Sequence, residues 1–130
     1  MNAHRDQSGV AAVEFALIGS LVLIPLVIAI LDFSQMFQIR QVVAQACEVG
    51  ALAASDGQAP EPLMRAYVQQ AGQDSGRLGV AVTANFQQLP PGTAIRVDAT
   101  FDLRGLPIIP WGAAIPGFVE LTAQATARRR

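Results

Sequence analysis

Apolar and polar positions divide this chain into three stretches with different periods. Residues 10–31, VAAVEFALIGSLVLIPLVIAIL, are apolar nearly throughout, and Glu14 is their single charge. At about 1.5 Å per helical residue they cover roughly 33 Å, against a hydrocarbon core of about 30 Å, which predicts a membrane-spanning helix. Pro25 would break a soluble helix, but a membrane helix accommodates it with a kink. Gly19 and Ser20 are small enough to let helices approach closely in lipid.

Beyond the span the period becomes helical. Met36, Ile39, Val43, Ala46 or Cys47, Gly50 and Ala54 recur at three- and four-residue steps. Gln35, Gln38, Gln41, Gln45 and Glu48 take the other face, so residues 32–55 continue the same rod as an amphipathic helix. Gly57, Pro60 and Pro62 end it. A short helix is expected over 62–72, with Leu63, Met64, Tyr67, Val68 and Ala71 as its apolar stripe and Gly72 as its stop.

The third stretch has period two. Strands are expected near 78–86, 95–103 and 119–127, with Val80, Val97 and Ala123 among the inward positions and Arg96, Asp98, Asp102, Glu120 and Thr122 facing out. LPPGT at 89–93 is a hairpin turn. The segment 104–117 holds three Pro and three Gly and is too broken for regular structure. A small antiparallel sheet with one dry face needs cover, which the amphipathic rod supplies. The expected fold is α+β: a long N-terminal helix packed on a three-stranded antiparallel sheet.

Composition narrows the chemistry. The chain has 130 residues, 52% hydrophobic and 15% charged, with a net charge of −1. That fits one domain, argues against disorder, and gives no basic face for nucleic acid. One Cys and one His exclude an internal disulfide, a cysteine-based metal site and most triad chemistry. No enzyme and no cofactor is expected.

The remaining side chains have ordinary readings beside sharper ones. Cys47 is a buried thiol in a helix, with an intermolecular disulfide as the alternative. Asp98 and Asp102 with Arg96 form a solvated sheet face rather than a catalytic pair. Trp111 with Ile108, Ile109 and Ile115 makes an apolar loop, anchored in the domain or turned to a partner or the membrane surface. Arg128, Arg129 and Arg130 form a solvated end. Arg5, and His4 beside it, would hold the short polar flank on the cytoplasmic side, which puts residues 32–130 in the periplasm. The apolar run is too long for a cleaved secretory signal, and LDFSQMFQ after it offers no small-x-small site.

The segment Ser8-Gly9-Val10-Ala11-Ala12-Val13-Glu14-Phe15-Ala16-Leu17 resembles the class III signal of type IV pilin-like proteins. Its continuation, Asp32-Phe33, Phe37, Arg40-Gln41 and Ala46-Cys47-Glu48-Val49-Gly50-Ala51, is similar to the TadE-like pseudopilins of the tight-adherence (Flp) pilus system. The resemblance covers roughly the first 55 residues, and the strands agree only in pattern. Phe15 stands where major Flp pilins usually have Tyr, and those pilins are much shorter, so the likeness is to the minor branch.

The resemblance implies residues 1–9 as a leader, cut between Gly9 and Val10 by a prepilin peptidase, with residues 10–31 kept as the anchor. It implies Glu14 and Phe15 as subunit-assembly residues. Its partners would be the peptidase, other pilins or pseudopilins, an inner-membrane assembly platform and membrane lipid, in a homo- or hetero-oligomer serving surface adhesion. Read alone, Gly9 is a flexible residue before a helix, and Glu14 a carboxylate solvated by headgroups. A carboxylate at mid-bilayer costs about 2.5–3.5 kcal/mol, less when only one turn in. Cleavage would free an amine on Val10; at about 4 Å it would attract Glu14 by several kcal/mol before desolvation. The charge then sets register between subunits. The alternative is an unprocessed single-pass membrane protein whose periplasmic domain binds a ligand or partner.

Overall fold

A computed structural model describes residues 3–130, with side chains from residue 7 onward. Of the expected leader, Met1, Asn2 and the side chains of His4 and Arg5 lie outside the described residues. Helix α1 runs unbroken from Ala3–Ser55 with Pro25 inside it. The membrane-length segment and the amphipathic segment are therefore one rod, and residues 3–9 belong to its first turns. Its C-terminus is closed by a left-handed residue. Gly57 has φ +82°, its amide donates to Ala54 (3.0 Å), and Gln58 donates to Ala53 (2.9 Å). This paired bonding satisfies carbonyls that the ending helix leaves without partners.

Helix α2 spans Pro60–Gln70, with proline in its first turn, where a missing N–H costs nothing. Gly72, at φ +83°, ends it in the same way, with Gln73 donating to Val68 at 3.1 Å. The helix starts two residues before the expected Pro62, and Pro60 is buried. Leu63, expected on its apolar stripe, is exposed, while Met64 and Val68 are fully buried.

Three strands follow: β1 (Leu78–Val82), β2 (Ala94–Asp102) and β3 (Glu120–Arg128). They form one antiparallel sheet in the order β1-β2-β3. Val97 lies opposite Val82 on one side and Ala125 on the other. Central β2 alternates without a fault: Ile95, Val97, Ala99 and Phe101 are all fully buried. Against them lie Met36, Ile39, Val43, Ala46, Cys47 and Ala54 of α1, together with Met64 and Val68 of α2. The arrangement is α+β, a long apolar helix on a small three-stranded antiparallel sheet.

β1 is shorter than its alternation predicts. After Val82 the Thr83 hydroxyl accepts the Arg96 amide at 2.9 Å, in place of a main-chain carbonyl. Asn85 then adopts φ 55°, and Phe86–Gln88 close into a 3-10 turn. A side-chain oxygen thus ends the ladder while apolar residues still alternate. The Pro- and Gly-rich segment 104–117 contains one helical turn, Trp111–Ala114.

Candidate functional site

Two adjoining features of α1 stand out: an uncovered N-terminal rod and a collar of loop residues where that rod meets the domain. Among the described residues, 7–27 are all exposed. Phe15 is 80% exposed and Leu21 77%, although burial of such side chains is the main driving force of folding in water. The helix is long and apolar enough to cross a membrane. Gln7, Val10, Ala11 and Glu14 line one shallow groove on it. The helical period therefore brings the Gly9–Val10 bond and Glu14 within about one turn. Phe15 lies one residue round from that groove. Among the described residues Glu14 forms no ion pair.

Gly9 lies within the helix, and a Cβ built there meets nothing within 4 Å. A helix-interior glycine costs about 1 kcal/mol relative to alanine. Among the described residues, nothing packs closely enough to require glycine at that position.

The collar is built around Asp32. Its side chain is 1% exposed. Oδ1 accepts the Ile108 amide (2.9 Å), and Oδ2 accepts the Ile109 amide (2.9 Å) and the Trp111 indole (3.0 Å). Burial alone would push this carboxyl up. The amides of Ile109 and Ile108, then the Trp111 indole, more than reverse that and hold it below the ordinary carboxylate value. Beside it the rings of Phe33 and Trp111 are 5.1 Å apart, and Phe118 packs edge-on at 6.1 Å from Phe33. Trp111 thus anchors its loop to α1, while Ile108 and Ile115 remain exposed. The sequence pointed to Trp111 but not to its partner. The available signal was a lone carboxylate directly after the apolar run.

The other candidates have structural roles. Cys47 is fully buried among α1 and β2 residues; burial pushes its thiol up, the Ala99 backbone partly opposes this, and the Asp98 charge adds to it. Its burial leaves no accessible thiol for an intermolecular bridge. Asp98 pairs with Arg96 at 2.9 Å on the outer sheet face, and Asp102 accepts the Arg104 amide at 2.9 Å. Among the described residues no three His, Cys, Asp or Glu stand together as a metal set.

The C-terminal arginines are more than a solvated end. The Arg129 guanidinium donates to Ser55 O (3.2 Å) and Gln87 O (3.3 Å). The Arg130 amide donates to Ser55 O at 3.1 Å, and its side chain reaches Asp56 at 3.5 Å. The last turn of α1 contains no basic residue of its own. Arg129 and Arg130, directly after β3, supply the positive charge that a helix C-terminus favours.

Residues 9–52 match the family described as TadE-like protein. The matched stretch begins at Gly9 and covers Glu14, the apolar rod, Asp32 and most of the sheet-facing stripe; α2 and the sheet lie outside it. No curated protein and no solved structure matches the chain.

Proposed function

From the TadE-like segment at residues 9–52, we propose that this chain is a pilin-like minor subunit of a tight-adherence pilus system. A prepilin peptidase cuts it after Gly9. Residues 10–31 hold it in the inner membrane, with the N-terminus cytoplasmic and residues 32–130 in the periplasm. It acts by associating with other pilin-like subunits and the assembly platform, in the service of surface adhesion.

One observation carries this reading: the uncovered rod bears a single charge, Glu14, and the chain supplies it no ion-pair partner among the described residues. An ionised carboxylate one turn inside a bilayer favours a cation close by. Cleavage at Gly9 would create one, the α-amine of Val10. Within one chain that amine lies about 6 Å along the axis from residue 14, near the limit of the glutamate's reach. A neighbouring helix offset by about one turn would bring the amine into contact. Charge pairing then fixes the axial stagger of packed subunits. The open space at Gly9 supports the same reading, because glycine there serves something other than this fold.

The test has two arms. Gly9→Phe is compatible with the helix, so a loss of cleavage in cells with an active prepilin peptidase reports on the peptidase; intact mass is the readout. A wild-type chain that keeps Met1 in such cells overturns the processing. Glu14→Gln keeps size and hydrogen bonding but removes the charge. It should be inserted and cut normally but fail to co-purify with partner pilins and fail to support piliation. Normal piliation at wild-type protein levels would refute the pairing.

A further inference from the structure

We propose that residues 105–119 form a second membrane contact: a charge-free loop, docked by Asp32 at the end of the span, that seats Ile108 and Ile115 in the interfacial layer of the bilayer. This goes beyond the pilus reading and needs only that residues 10–31 cross a membrane.

Position is the first argument. Asp32 directly follows the span, and its carboxylate holds the amides of Ile108 and Ile109 and the Trp111 indole. The height of the loop along the rod is therefore set at the boundary between hydrocarbon and water. Composition is the second. No charged residue occurs from Gly105 to Val119, and the flanking charges, Arg104 and Glu120, stand at the two ends. Exposure is the third. Ile108 is 68% exposed and Ile115 43%, and Phe33 and Phe37 of α1 are also open at this level. Ile30, Leu31 and Phe33 carry the exposed apolar side of the rod up to this loop, where Phe33 meets the Trp111 ring, so the occupant that covers the rod ends beside the loop.

Two further details fit a lipid surface. A carboxylate at such a boundary is tolerable only when its oxygens are satisfied, and both Asp32 oxygens accept short bonds from the loop itself. Tryptophan favours this layer because its ring is apolar and its N–H polar. Here the N–H is bonded to Asp32, and the ring packs on Phe33.

Trp111 is the only tryptophan, so its fluorescence reports on this loop alone. The intact chain would be placed in lipid nanodiscs at a single copy per disc, with ordinary phospholipid or phospholipid brominated near the top of the acyl chain. Brominated lipid should quench Trp111 by about twofold or more, and aqueous acrylamide should quench it weakly. Ile108→Asp with Ile115→Asp should weaken the lipid quenching and raise acrylamide access, with an unchanged circular dichroism spectrum. Ile108→Leu should keep the wild-type response, which separates loss of insertion from loss of folding. Strong acrylamide quenching without lipid quenching in the wild type overturns the proposal. So does protection that appears only with several copies per disc, since a second subunit would then be the cover. Failure of cleavage at Gly9 would leave these outcomes unchanged.

Discussion

Gly50 tests how closely α2 is seated on the rod. A Cβ at this buried position would lie 2.8 Å from Met64 Cγ, closer still to Met64 Sδ, and 3.4 Å from Pro60 Cβ. Carbon atoms pack best at about 3.5–4.0 Å, so the first added carbon already intrudes by about 1 Å. Met64 is flexible, but it is fully buried and has no route to solvent. For Gly50→Val the helix-propensity gain is only about 0.4 kcal/mol. Three added carbons in a filled site cost about 3 kcal/mol, the upper part of the overpacking range. The net loss of about 2.5 kcal/mol corresponds to a fall in Tm of roughly 10–20 °C for a domain of about this size. Thermal unfolding of the intact chain in mild detergent, followed by near-ultraviolet circular dichroism, measures it. Gly50→Val combined with Met64→Ala should lose less than the sum of the two single changes, by about 2 kcal/mol, because the valine methyls fill the space the methionine vacates. An unchanged or raised Tm for Gly50→Val, or strict additivity in the double variant, would refute the close-packing argument.

Two other predictions concern the middle of the rod and its C-terminal end. Asp32 is held below its ordinary value, so its contribution to stability should be complete above the unfolded carboxylate value near 3.8 and be lost as pH falls through the lower folded one. In detergent, Asp32→Asn should remove that acid dependence and speed proteolysis within 104–118; an unchanged acid profile would show that the loop is held by its aromatic contacts alone. Arg129→Ala removes the guanidinium bonds to the Ser55 and Gln87 carbonyls, leaving Ser55 O only the Arg130 amide, and should lower stability by about 1 kcal/mol. Arg129→Lys should recover only part of that, because one ammonium does not reproduce the forked guanidinium; full recovery in a denaturant titration would contradict the two-carbonyl geometry.

The parts legible from sequence were those in which a local pattern repeats. A continuous apolar run exposes itself, and the Met36–Ile39–Val43–Cys47 stripe and the alternation of β2 each recur often enough to assign a face. Each expresses a backbone period set by covalent geometry, independent of what lies across the fold. The outcomes decided by tertiary structure depend on single side chains meeting residues far along the chain. Thr83 ends β1 because Arg96 is opposite. Asp32 reaches amides seventy-six and seventy-seven positions away. Arg129 crosses to Ser55, and Gly50 gives way to Met64. Such contacts leave no periodic trace, since one carboxylate or one guanidinium is compatible with many neighbours until the packing of α1 on the sheet chooses among them.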